Sequence, residues 1–90
     1  MSVSPLLVEF LGTSFLLSAI SFTGSAFFIG AALAIAVLMG GAISGGHFNP
    51  AVTAWALMSG KIGQSKALMY VAAQLAAAAF IVGVDRFVKH

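Results

Sequence analysis

The most chemically loaded stretch of this 90-residue sequence is Ser44 to Pro50, read as Ser-Gly-Gly-His-Phe-Asn-Pro. Its His47 has no second ligand beside it, and a lone imidazole is a poor metal site. No metal, cofactor or enzymatic reaction is expected. What the stretch offers is backbone and dipoles. The carbonyls of Gly45, Gly46, His47 and Phe48, if extended, would present acceptors in single file, with the glycines keeping the wall thin. Asn49 is a strong helix N-cap and Pro50 suits a first helical turn, so the pair starts a new helix that Ala51 and Val52 continue. Such an N-terminus carries roughly half a positive charge, and the Asn49 amide adds a hydrogen-bond donor. A small, neutral, hydrogen-bonding solute fits this set, whereas cations and protons meet a barrier.

Two other polar side chains interrupt apolar runs. Glu9 falls about one turn into the first run, where a carboxylate is costly unless it snorkels to the near interface. Gln74 sits inside the last run, where an amide can make an interhelical hydrogen bond.

The elements that must position these residues follow from composition. Hydrophobic residues make up 61% of the chain, against four basic and two acidic residues and no cysteine. Soluble domains carry about a quarter charged residues, so this composition belongs in a bilayer. At ~1.5 Å per helical residue and a ~30 Å hydrocarbon core, the chain supplies at most about four crossings and no large catalytic domain. Lys61, Lys66, Arg86 and Lys89 form no basic patch of the kind nucleic acid requires. The first run, residues 5–22, has no Lys or Arg before it, as a cleavable signal would demand, and is expected to remain as a transmembrane helix. The second, 27–43, is uncharged and carries Ala32, Ala36 and Gly40 four residues apart, a small-residue stripe that lets a neighbouring helix approach. The third, 67–84, follows the polar loop Lys61 to Lys66 and precedes the charged tail Asp85 to His90.

Between the second and third runs lies a helix too short to span. It starts at Pro50 and can close at Gly60, so it is ~15 Å long, half the core thickness. Its residues Ala51 to Met58 contain no charge, unlike a surface helix with a basic face, which favours a re-entrant segment. Non-helical backbone at membrane depth is tolerated only where it lines a cavity or is covered by protein, so Gly45 to Phe48 predicts a water-filled path. Trp55 has two readings, an interfacial anchor or, favoured within the half-helix, packing against spans one and three. The fold class is an all-α membrane protein, one domain over residues 1–90, with three spans plus a re-entrant loop and half-helix at 44–60.

Ser44 to Thr53, Ser-Gly-Gly-His-Phe-Asn-Pro-Ala-Val-Thr, resembles the signature loop of the aquaporins and glycerol facilitators, the major intrinsic proteins. Glu9-Phe10-Leu11-Gly12-Thr13 is similar to that family's first-helix motif, and Tyr70-Val71-Ala72-Ala73-Gln74 to the start of its third helix. The resemblance is to the N-terminal half alone. Family members are fused pairs of inverted halves whose Asn-Pro-Ala half-helices meet at the midplane. The resemblance implies pore-lining roles for Gly45, Gly46, His47, Phe48, Asn49, Pro50 and Ala51, with the His47 side chain in the loop scaffold. It also implies that Glu9 braces the re-entrant loop through backbone hydrogen bonds and that Gln74 helps hold it. In the family's second half an Arg follows Asn-Pro-Ala and helps form the selectivity filter; here Val52 stands in that place. Val52 and Ile29, the latter near the second-helix filter position alongside Phe27 and Phe28, are the candidate filter side chains.

The implied function is passive permeation of water or a small uncharged solute such as glycerol, through a pore that one chain cannot enclose. Family topology puts Lys61 and Lys66 on one side and Arg86 and Lys89 on the other, a Lys/Arg balance that specifies orientation weakly. Two oppositely inserted copies would recreate the inverted repeat. The expected partners are therefore the lipid bilayer, the solute and a second half-channel chain, an inverted homodimer or a higher oligomer, with the cell membrane as the site. Two alternatives are a non-conducting half that needs a separate C-terminal half, and a small dual-topology proton-coupled transporter using Glu9.

Overall fold

Each of the first three helices begins at a cap written in the sequence. Ser4 accepts the Leu6 N–H at 3.2 Å and Pro5 fills the first turn of α1, Pro5–Phe22. Ser25 accepts the Phe28 N–H at 3.4 Å and opens α2, Ala26–Ser44. Asn49 Oδ1 accepts the Ala51 N–H at 2.8 Å ahead of Pro50 and opens α3, Pro50–Met58. The last helix, α4, runs Gln64–Lys89. This computed structural model describes residues 4–89, and no strand occurs among them.

Three of the helices, α1, α2 and α4, are long and apolar enough to cross a membrane. With nine residues, α3 is only ~14 Å long. At both ends α4 exceeds the run that hydropathy marks: it takes in Gln64 to Lys66 and continues through Asp85 to Lys89. The supposed charged tail is thus helical, with Arg86 and Lys89 in the last turn, where cations suit the helix dipole. His90 lies outside the described residues.

Packing is organised around α1, which lies against both α2 and α4, while α3 packs on α4; α2 and α3 do not pack on one another. Because Glu9 meets Gln74 and Ser21 meets Asp85, α1 and α4 run parallel. The inner face of α2 is Ala32, Ala36, Gly40 and Ser44, the small-residue stripe of the sequence. At Gly40 a Cβ would fall 2.5 Å from Val8 Cγ1, so the helices approach as closely as glycine allows. The inner face of α4 is Ala67, Tyr70, Gln74, Ala77 and Ile81. Trp55 departs from expectation: it is 55% exposed, with Lys61 Nζ 5.7 Å from its ring centroid. The reason is geometric, since Thr53 and Ala56 form the buried stripe of α3 and Trp55 lies off it.

Candidate re-entrant site

The loop between α2 and α3 is built around one carboxylate. Glu9 is 0% exposed and accepts four hydrogen bonds. Its Oε2 takes the Ser44 hydroxyl at 2.7 Å and the His47 N–H at 3.1 Å; its Oε1 takes the Phe48 N–H at 2.8 Å and Gln74 Nε2 at 2.9 Å. An ionised carboxylate has about four lone-pair sites and no donor, so the acceptor is saturated. The side chain therefore does not snorkel.

Local backbone makes this convergence possible. Gly45, Gly46 and Phe48 have φ of 94°, 65° and 55°, all in the left-handed region. The loop is consequently turned rather than extended, a correction to the single-file picture. Turning directs the consecutive N–H groups of His47 and Phe48 onto one anion, as in backbone nests. Phe48 bears a left-handed backbone because its ring is anchored: it is 2% exposed, and a Cβ at Gly12 would fall 2.1 Å from Phe48 Cε1. Only glycine at position 12 leaves room for that ring.

The network extends to the other helices. Gln74 Nε2 also donates to Thr53 Oγ1 at 2.9 Å, and that oxygen lies 2.9 Å from His47 Nδ1. Tyr70 donates its hydroxyl to the Ser44 carbonyl at 2.6 Å, its ring lies 5.1 Å from the His47 ring, and Ser44 Oγ accepts the Gly46 N–H at 3.1 Å. All four helices and the loop thus share one polar cluster. Its depth follows from α4: Gln74 lies ten residues from Gln64, or ~15 Å along the helix. Through Thr53, the start of α3 is held about half a hydrocarbon thickness from that end, and α3 returns to the surface at Gly60.

The opposite side of the loop is left open. The carbonyls of Gly45, Gly46, His47 and Phe48 accept no hydrogen bond among the described residues. Asn49 spends Oδ1 on its cap and leaves its amide N–H groups unpartnered there. Gly45, Asn49, Pro50, Ala51 and Val52 are exposed, while Gly46 and His47 are half-buried. Of the candidate residues, Glu9 meets the loop directly, and Gln74 reaches it through Glu9 and Thr53. Ile29 does not join them: it lies in the first turn of α2, at the far end from Ser44, and is half-buried. No cluster of three metal-ligating side chains occurs among the described residues.

Sequence reasoning missed Ser44, Thr53 and Tyr70 in the network and Gly12 under the Phe48 ring. Small hydroxyl residues on apolar helices are interhelical hydrogen-bonding groups, which was the available signal for Ser44 and Thr53.

Comparison with known proteins adds the following. The sequence model described as major intrinsic protein matches residues 3–89. Aquaporin TIP1-2 of Zea mays is 57% identical over 44 residues, covering 49% of this chain and 17% of that protein. Aquaporin-3 of Milnesium tardigradum is 42% identical over 55 residues, covering 61% and 17%. Glycerol uptake facilitator protein-like 6 of Lactiplantibacillus plantarum is 38% identical over 78 residues, covering 77% and 36%. The chain therefore spans only a minor part of these relatives' length. No solved structure gives a significant match.

Proposed function

The chain belongs to the major intrinsic protein family and is a multi-pass integral membrane protein; on that premise we propose that it forms half of a pore for passive permeation of water or a small uncharged solute, completed by an inverted copy of itself. The observation that carries this reading is the two-sided loop. Glu9 takes the His47 and Phe48 N–H groups, while the four carbonyls and the Asn49 amide are left without partners among the described residues at mid-depth. Unsatisfied backbone at that depth costs several kcal/mol per group in lipid, so water, solute or a partner chain must meet it. Relatives named as aquaporins and as a glycerol uptake facilitator support water or glycerol as the solute.

Pairing with an inverted copy is supported by the charges. Lys61 and Lys66 flank the start of α4 and Arg86 and Lys89 its end, leaving two basic residues on each side and little orientation bias. The domain boundaries proposed for such a half are residues 5–22, 27–43 and 67–84 within the hydrocarbon and 44–60 re-entrant. Pore lining by Gly45, Gly46, His47, Phe48, Asn49, Pro50 and Ala51 rests on backbone for Phe48, whose ring is buried. Val52 supports a second reading, in which a separate chain with an Arg at the matching position supplies the other half. Glu9 is fully buried and committed to hydrogen bonds that hold the loop, which favours a scaffold role over the transporter reading.

The test is stopped-flow osmotic swelling of vesicles containing only this chain. We expect permeability above that of empty vesicles, and Asn49→Asp, which puts negative charge at the constriction, is expected to return it to the empty-vesicle level. No excess permeability from inserted protein overturns self-pairing; recovery on adding an Arg-bearing half selects the second reading.

A further inference from the structure

A groove lies at the end of the molecule away from the re-entrant loop. It lies between α1 and α4, encloses about 240 Å³, and is walled by apolar residues including Leu17, Ala78 and Ile81, with Ser21, Asp85 and Arg86 at its mouth. The two charges at the mouth have different fates. Asp85 is engaged by Lys89 Nζ at 2.7 Å and by the Ser21 hydroxyl at 2.5 Å. Lys89 in turn donates to the Ser21 carbonyl at 2.6 Å and lies 5.1 Å from the Phe22 ring centroid. Arg86 is exposed and has no ion-pair partner among the described residues. Lys89, beside the mouth, brings the described residues there to two bases against one acid, a net positive charge, and the guanidinium is the cation among them left without a carboxylate.

The level of that charge is fixed by the chain. Helix α1 ends, α2 begins and α4 ends together here, and the exposed rings of Phe22, Phe27, Phe28 and Phe87 sit at this end. The mouth therefore faces the boundary between hydrocarbon and headgroups, and the apolar trough runs from it into the hydrocarbon. One ligand has both parts in that order. An acyl chain fills an apolar trough, and a phosphate takes the two parallel N–H bonds of a guanidinium fork. Basic sites between transmembrane helices hold anionic headgroups in this way.

We propose that the groove between α1 and α4 binds an anionic phospholipid, with one acyl chain against Leu17, Ala78 and Ile81 and its phosphate on Arg86. The net positive mouth selects the headgroup, since the ammonium of a zwitterionic lipid would meet Arg86 and Lys89. The same polarity sets Arg86 apart from Lys66 at the opposite end of α4, which lies 5.7 Å from the Tyr70 ring centroid.

The experiment is native mass spectrometry of the full chain released from detergent, with phosphatidylglycerol and phosphatidylcholine of the same acyl length supplied in equal amounts. The expected result is one phosphatidylglycerol retained per chain, at least about fivefold over phosphatidylcholine. Arg86→Gln is expected to erase that preference, Arg86→Lys to keep part of it, and Lys66→Gln to leave it intact. Ala78→Phe, which fills the trough while sparing the charge, is expected to lower retention of both lipids. Helical circular dichroism of each variant separates lost binding from lost fold. Equal retention of the two lipids by the unaltered chain overturns the proposal, as does an equal effect of Arg86→Gln and Lys66→Gln, which would mean attraction by net charge alone. Displacement of the retained lipid by millimolar inorganic phosphate would likewise overturn a lipid site in favour of a free-anion site.

Discussion

The chain holds its two carboxylates in opposite ways. Glu9, fully buried at one end of α1, is matched by neutral donors alone: two backbone N–H groups, one hydroxyl and one amide. Asp85, at the other end of the same helix pair, is matched by the cation Lys89, whose side chain is 44% exposed, beside the Ser21 hydroxyl. The difference follows from the medium. Deep in the membrane a Lys counter-ion would bring its own desolvation cost, whereas fixed dipoles carry no net charge and define positions. At the rim, water and headgroups solvate both ions, and the pair contributes little. A carboxylate satisfied by dipoles can shape a backbone; one satisfied by a flexible ammonium cannot. That is why the irregular segment, with three of its residues at positive φ, lies beside Glu9 and not beside Asp85.

The largest effect should come from replacing the buried acceptor. In Glu9→Gln one oxygen becomes an NH2 group that faces donors. Ser44 can turn its hydroxyl to the Gly40 carbonyl, already 3.5 Å away, and Gln74 can flip its amide. Neither the His47 nor the Phe48 N–H can turn away, so one of them is left facing a donor. An orphaned N–H costs about 1–3 kcal/mol, and weakening the remaining bonds from charge-assisted to neutral adds to it. We expect roughly 2–5 kcal/mol lost in denaturant unfolding in detergent, together with faster maleimide labelling of a single cysteine placed at Gly45, a clean probe in a chain with no native cysteine. An equal loss from Asp85→Asn would break the contrast between the two ends.

Next in size is the ring that fixes the loop from its other side. Gly12→Ala sets a methyl 2.1 Å from Phe48 Cε1, and overpacking of this kind costs about 1–3 kcal/mol. Phe48→Leu in the same chain should recover part of that loss, because a smaller side chain accepts the methyl. Absence of recovery would mean that Gly12 matters for helix approach alone, and the loop would then depend on Glu9 without a second anchor.

How far these features could be read in advance depended on whether the signal was local. The Asn49 cap and the Ala32, Ala36, Gly40 stripe depend on neighbours in sequence, and residue type and spacing expose them. Three spans and a half-helix follow from length and polarity. The turned backbone of Gly45 to Phe48 was not legible, because two glycines permit extended and left-handed states alike, and the choice is made by Glu9, some 35 residues upstream of Ser44. Gly12 was hidden for the same reason: its size matters only once Phe48, distant in sequence, lies on it. Trp55 was misjudged because aromatic bulk suggests burial, whereas the register of α3 is set by Thr53 and its bond to Gln74.

The smallest expected effect sharpens the comparison from the rim. Lys89 has three partners, the Asp85 carboxylate, the Ser21 carbonyl and the Phe22 ring, so its geometry resembles a designed clamp. Half-exposed pairs of this type, spaced i to i+4, contribute about 0.3–0.5 kcal/mol, and the cation over Phe22 adds about as much at an exposed site. A double-mutant cycle of Asp85→Asn and Lys89→Met should therefore return a coupling below about 1 kcal/mol, smaller again in 0.5 M salt, where screening shortens the reach of the charges. Osmotic permeability should not change in either single variant, because neither residue touches the loop or its supports. A coupling above about 2 kcal/mol, or one indifferent to salt, would show that the rim carboxylate is held as rigidly as Glu9, and that α1 and α4 are positioned from both ends and not chiefly from the re-entrant one.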